Sequence, residues 1–199
     1  MENTPLANDA VKLPKPLSGN TLRMRQVGDF YVADNAALCG NVAVGKDVSV
    51  WFNASVRGDV AAIYLGDRVN VQEGAVLHCD GGKDLVIEAE VTIGHGAVVH
   101  GRRVGAGSLI GMKAVVLGDV TIGKGCIVAA GCVVSPGTVV PDGMVIMGIP
   151  GKVVRPVKPA EVEFMAGNIA HYVELARAHV QTPERYYGVA EGVYLGVKS

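Results

Sequence analysis

Large aromatic side chains are scarce: the 199 residues include one Trp, three Phe and six Tyr, 5% in all. A core built on large rings is therefore excluded. Charge of one sign is also missing, since 18 Lys and Arg face 19 Asp and Glu for a formal net charge of −1. That balance provides no basic field for nucleic acid or for an anionic lipid surface. No apolar run approaches the ~18 residues of a membrane helix, because Gly, Asp or Lys interrupts every stretch. Residues 1–20 contain Glu2, Asp9 and three prolines, with no basic start ahead of an apolar block. A cleaved secretory leader is not expected, and a cytoplasmic location is. The four cysteines, Cys39, Cys79, Cys126 and Cys132, include no Cys-x-x-Cys pair and read as reduced thiols. There is no Gly-x-Ser-x-Gly elbow for a serine hydrolase.

What the chain has instead is glycine, 27 residues of it, within a composition that is 49% hydrophobic. Small and branched aliphatics with abundant glycine point to a repetitive β architecture, and the repeat is explicit. Counting in sixes from Val104 gives Ile110, Val116, Ile122, Val128, Val134, Val140 and Ile146. An earlier run holds Val32, Leu38, Val44, Val50 and Val56, and a broken middle continues through Leu65, Val71, Leu77, Ile87, Ile93 and Val99. A period of six is neither helical nor a simple alternation. It fits a short strand and a turn, with one branched residue pointing inward and Gly, Asn or Asp at the corner. Three such sides close a coil of about eighteen residues, and stacked coils make a parallel β-solenoid. Gly105-x-Gly107 lies inside this repeat, so it is not a dinucleotide-binding turn.

The period stops at Gly148-Ile149-Pro150-Gly151. Beyond Pro159, Val162, Met165, Ile169, Tyr172 with Val173, Ala176 and Val180 recur at helical spacing, which predicts one amphipathic helix packed on the solenoid. The expected organisation is an N-terminal arm over 1–28, a solenoid over 29–151, and a linker, helix and tail over 152–199.

The repeat also places histidines. His78 follows Leu77 and His100 follows Val99, 22 residues apart. That separation is one coil plus the four-residue excess between Leu77 and Ile87. If the excess bulges near Cys79 to Asp84, the two imidazoles stack on coils ~4.8 Å apart and can reach one metal. His95 lies on the preceding side, five residues from His100, a span of ~16 Å when extended. Ligation by all three within one chain is strained, whereas a three-fold assembly brings His95 of one chain beside His78 and His100 of the next. Three histidines and a water make a catalytic zinc site with an open position. A lone outward histidine is ordinarily a solvated corner. Here the same registers also gather Arg57, Asp59, Gln72 and Glu73.

At these residues the chain resembles the γ-class carbonic anhydrases. The likeness is carried by Val56-Arg57-Gly58-Asp59, by Gly66 through Glu73, by Val76-Leu77-His78, and by Ile93-Gly94-His95 through His100-Gly101. Gly107–Met112 and the Val139-Pro-Asp-Gly and Gly148-Ile149-Pro150 segments continue it, so it covers roughly residues 30–180. The resemblance implies a left-handed parallel β-helix of hexapeptide repeats with a C-terminal helix, assembled as a homotrimer with Zn2+ or Fe2+ at its seams. His78, His95 and His100 are then the metal ligands. Arg57 and Asp59 match an interface ion pair, Gln72 the residue that positions metal-bound water or bicarbonate, and Tyr172 an active-site tyrosine, with His171 where the family usually has Asn. The implied reaction is reversible hydration of CO2 to bicarbonate by a metal-bound hydroxide. Family members with fast proton export carry an acidic loop and a Glu; here Val60 follows Asp59 and the loop Cys79–Asp84 is short, leaving Asp80 as substitute and implying low turnover. The same resemblance admits an acyl-CoA thioesterase or acyltransferase, with CoA along the solenoid groove, or a weakly active assembly subunit.

Overall fold

The computed structural model describes residues 22–183, together with the backbone of a short antiparallel strand pair, Val11–Lys12 with Tyr194–Leu195. Most of the arm expected over 1–28, and the tail beyond 183, lie outside the described residues.

The branched aliphatics at every sixth position form two-residue strands that stack in register as a parallel β-solenoid of about 6 turns. One face carries Phe30–Ala33, Ser49–Val50, Asn70–Val71, Thr92–Ile93, Leu109–Ile110, Ile127–Val128 and Met144–Gly148. The other two faces share one sheet because Ser55–Leu65 runs around a corner: Ser55 and Val56 pair with Val76 and Leu77, while Ile63–Leu65 pair with Leu85–Ile87. The second face continues through Val98–Val99, Val115–Val116 and Val133–Val134. The third continues through Arg103–Val104, Thr121–Ile122 and Val139–Val140.

Inside the prism the inward residues, from Val50 and Val56 to Val140 and Ile146, are fully or almost fully buried, each beside its counterpart one coil away. The interior accepts one thin side chain per face per coil; Phe30, partly buried, packs against it in the first coil, and most other rings lie outside. Trp51, Tyr31 and Met24 form a separate cluster on the first face with Ala176 and Tyr172. At the corners, positive φ falls on Gly and Asx as the repeat predicts, but also on Arg68, Glu90 and Lys113. An L residue there costs about 1–2 kcal/mol, which the stacked ladder on both sides enforces. Outward-pointing Arg68 and Glu90 form an ion pair of 2.7 Å along their corner.

The solenoid ends differ from the sequence expectation. Met24–Val27, expected as the end of an irregular arm, pairs antiparallel with Phe30–Ala33. Gly151–Pro156, expected as linker from residue 152 onward, pairs antiparallel with Met144–Gly148. Both cover sheet edges that would otherwise expose unpaired backbone groups.

The single described helix runs Pro159–Gln181 and buries Met165, Ile169, Val173 and Ala176. Val162, expected on that face, is 52% exposed. The reason is where the helix docks: it packs on the strands at 24–27, 49–50 and 70–71, so its first turns stand away from the later coils. No described helix is long and apolar enough to cross a membrane. At its N-terminus Glu161 accepts from Arg155 through two bonds of 2.8 and 2.7 Å and from the Lys158 N–H at 2.8 Å. The Arg155 guanidinium, more than the Lys158 N–H, holds the Glu161 carboxyl at about 2.

Two measurements check these assignments. Urea unfolding should show Ile122→Ala, which empties a fully buried site, losing about 2–5 kcal/mol. Thr121→Ala, on the outer face of the same strand, should change stability by less than about 0.5 kcal/mol. The Glu161 contribution is depressed-pKa in sign: fully present above its ordinary value of 4.5, and lost as pH falls from there through about 2. Glu161→Gln should therefore flatten the fall in thermal midpoint between pH 5 and pH 3, followed by circular dichroism.

Candidate metal centre

The second face ends in two histidines. Leu77 pairs with Val99, so the following residues, His78 and His100, stand side by side, with ring centroids 5.1 Å apart. His78 Nδ1 and His100 Nε2 are 3.0 Å apart. The loop that follows His78 absorbs its extra residues away from the ladder, with the Ala62 N–H donating to Asp84 Oδ1 at 2.9 Å. Arg57 follows Val56, the ladder partner of Leu77, so it occupies the preceding coil beside His78. Arg57 Nη1 donates to Asp59 Oδ2 at 2.6 Å, and Asp59 Oδ1 lies 3.0 Å from His78 Nε2. Hydrogen bonds from Arg57 first, and His78 second, hold the Asp59 carboxyl below the usual carboxylate range. Asp80 Oδ1 is 3.8 Å from His100 Nδ1.

His95 occupies the other end of this face, in the turn that enters Val98–Val99. Val71 pairs with Ile93, which sets Glu73 next to His95: Glu73 Oε2 is 2.6 Å from His95 Nδ1. That oxygen is buried and, despite the short distance, has no partner of good hydrogen-bond geometry among the described residues. The contact is therefore electrostatic. Gln72, 5% exposed, accepts the His95 backbone N–H through Oε1 at 3.1 Å and donates through Nε2 to Asn70 Oδ1 at 3.0 Å. Asn70 donates to Thr92 Oγ1 at 2.9 Å, and Asn168 Nδ2 reaches the same hydroxyl at 3.2 Å.

Between the first face and the helix runs a groove of ≈ 290 Å³ that begins at Gln72 and His95, passes Asn168 and Tyr172, and ends among Met112 and Phe164. Tyr172 packs edge-on against Trp51 at 5.4 Å. Burial, then the nearby Glu73 charge, raises its pKa, so the phenol is neutral across the physiological range.

The candidate residues thus form two half-sites at opposite ends of one face. Arg57, Asp59, His78 and His100 meet at one end; Gln72, His95 and Tyr172 meet at the other. Among the described residues no three His, Cys, Asp or Glu groups of one chain converge as a metal site. The repeat and the histidine registers alone do not point to Asn168 or to the Asn70–Thr92 pair. Asn168 stands one helical turn before Tyr172, and Asn70 is 22 residues before Thr92, the separation of the histidine pair.

The donor set suits a divalent metal that prefers imidazole. With metal–nitrogen bonds of about 2.0–2.1 Å, two tetrahedral ligands stand roughly 3.3 Å apart. The His78 and His100 nitrogens, 3.0 Å apart, need to separate only slightly.

The chain has recognisable relatives. Residues 103–136 match the family described as bacterial transferase hexapeptide (six repeats). It is 39% identical over 159 residues to a carbonic anhydrase of Geobacillus kaustophilus (strain HTA426), covering 80% of this chain and 86% of that one. It is 36% identical over 157 residues to the mitochondrial gamma carbonic anhydrase 2 of Arabidopsis thaliana, covering 76% and 56%. A putative acetyltransferase of Bacillus cereus has a similar structure, with a TM-score of 0.71, 34% identity, and coverage of 76% and 88%. The solenoid is accordingly a left-handed parallel β-helix. From its repeat, its histidine registers and these relatives, the chain belongs to the γ-class carbonic anhydrase family of hexapeptide-repeat proteins.

Proposed function

We propose that the protein is a metal-dependent carbonic anhydrase that interconverts CO2 and bicarbonate at the seams of a homotrimer. The observation that carries this reading is the pairing of His78 with His100 at 3.0 Å, with His95 held at the far end of the same face. In a closed three-fold ring each chain gives its histidine pair to one seam and His95 to the other, so all seams are equivalent. The strip between the half-sites supports burial against a second chain: its outward residues are Val76, Val98, Val115 and Val133, and Val76 is 39% exposed.

Zn2+ or Fe2+ held by His78, His100 and the partner's copy of His95 would lower the pKa of water towards ~7 and so supply hydroxide at neutral pH. The chain's own groups do the rest. Gln72 keeps one amide hydrogen and one lone pair after its bonds to Asn70 and His95, and its burial fixes where they point. The neutral Tyr172 phenol, on the wall of the groove that also holds Gln72 and His95, donates to an oxygen of bicarbonate. Leu109, Met112, Ile127 and Phe164 give the groove an apolar wall, which suits CO2. Asp59, anionic and shared between Arg57 and His78, holds the His78 ring in place.

The purified protein should contain close to one zinc or iron per chain, and active protein without metal would overturn the site. His78→Ala and His95→Ala should each be inactive in stopped-flow CO2 hydration. Refolded together in equal amounts, they should recover about a quarter of wild-type activity, the share of seams that combine the two intact halves. No recovery would contradict a site shared between chains. Acyl-CoA hydrolysis assayed on the same samples tests the acyl-transfer reading that the Bacillus cereus protein raises; hydrolysis without CO2 hydration would favour it.

A further inference from the structure

We propose that Glu73 is the positioning residue for His95, fixing the tautomer and aim of its imidazole so that Nε2 is the nitrogen presented to the metal. This rests on the metal reading above.

His95 is the candidate ligand with least local restraint. Its side chain is 45% exposed, against 18% and 31% for His78 and His100, and both sequence neighbours are glycines. Nothing larger can brace it from those positions. A Cβ on Gly94 would lie 2.8 Å from the Ile110 carbonyl oxygen, and Gly96 holds φ at +64°. Restraint has to come from the coil below. Gln72 secures the backbone by accepting the His95 N–H, and Glu73 meets the ring itself at Nδ1, 2.6 Å away.

The ladder between Val71 and Ile93 makes this a fixed neighbour rather than a chance rotamer contact. Glu73 Oε2 has no hydrogen-bond partner of good geometry among the described residues, and the His95 ring 2.6 Å away is the group its charge faces at shortest range. A carboxylate beside Nδ1 favours the tautomer that carries the proton there and leaves the Nε2 lone pair free to face a metal. His78 has a carboxylate, Asp59, at its Nε2 instead, and Asp59 also holds Arg57, so Glu73 is the cleaner place to isolate the effect on a histidine.

The test uses the full chain as purified, with zinc affinity measured by competition against a chromophoric chelator at fixed pH and assembly followed by light scattering. Glu73→Gln should weaken zinc binding about 10–100-fold while assembly is unchanged, and Glu73→Asp should recover part of the loss. In the double variant, Glu73→Gln should add nothing to His95→Ala, because its effect passes through that ring. Wild-type affinity in Glu73→Gln, or losses that multiply in the double variant, overturn the assignment. If Glu73→Gln fails to assemble, the same cycle run with Glu73→Asp decides. His95→Ala binding zinc as tightly as the wild type would overturn the metal reading itself, an outcome separate from the behaviour of Glu73.

Discussion

The parallel hydrogen-bonded ladder between successive coils, closed around an interior one aliphatic side chain deep, governs everything else in this protein. Burying a Val or Ile is worth about 1.5–3 kcal/mol, and the gain is realised only when each residue meets its counterpart on the coils above and below. Register is therefore held much more firmly than sequence spacing. Asn70 and Thr92 are paired across 22 residues, Thr92 and Leu109 across 17, and Leu109 and Ile127 across 18, yet all belong to one column. Insertions leave as loops at the corners. Residues such as His78 and His100, each one step past an inward position, inherit the precision of the ladder although they take no part in the core.

Placing the large rings Trp51, Tyr31 and Tyr172 outside the prism has a structural use. They gather outside the first face and fasten the helix there, together with Arg177, which bridges to Asp47 at 2.9 Å. The Arg155–Glu161 pair fixes where the helix starts, and the aromatic cluster fixes where its later turns lie. Between these two anchors the helix spans the groove, and Asn168 and Tyr172 are carried over Thr92 and Gln72. A small second core thus helps deliver Asn168 and Tyr172, the groups of the candidate site that, among the described residues, the solenoid does not itself supply.

What the sequence discloses follows the same division. Inward positions and the stacking of His78 on His100 are legible because they obey one counting rule, and so is the separation of His95 from that pair. The antiparallel strands at Met24–Val27 and Gly151–Pro156 obey no such rule: they pair by hairpin geometry with the terminal coils and show no six-residue period. Arg68, Glu90 and Lys113 at positive φ are equally silent, since a corner imposed by the ladder overrides residue preference wherever the side chain can point outward. Val162 has the right spacing to be buried, but spacing says nothing about which strands a helix docks on. Asn168 lies on a helix face whose orientation depends on that docking, so its approach to Thr92 could not be counted out from the repeat.

The two half-sites solve different problems of order. At one end two imidazoles already meet, so under the proposed reading a metal held there would take the place of the contact between them and would need little else to move. At the other end, under the same reading, a single part-exposed ring on a glycine-flanked turn would have to be aimed across to a different chain, with Gln72 and Glu73 in the coil below to order it. Under the proposed reading neither half binds metal well alone. Occupancy and assembly are then linked, because whatever binds only the joined seam stabilises the joined state by mass action. A trimer of this kind would hold its metal by virtue of being assembled. The rigidity of the ladder makes that arrangement workable, since it carries both half-sites on one unyielding face and lets the geometry of the seam be set by how two such faces meet.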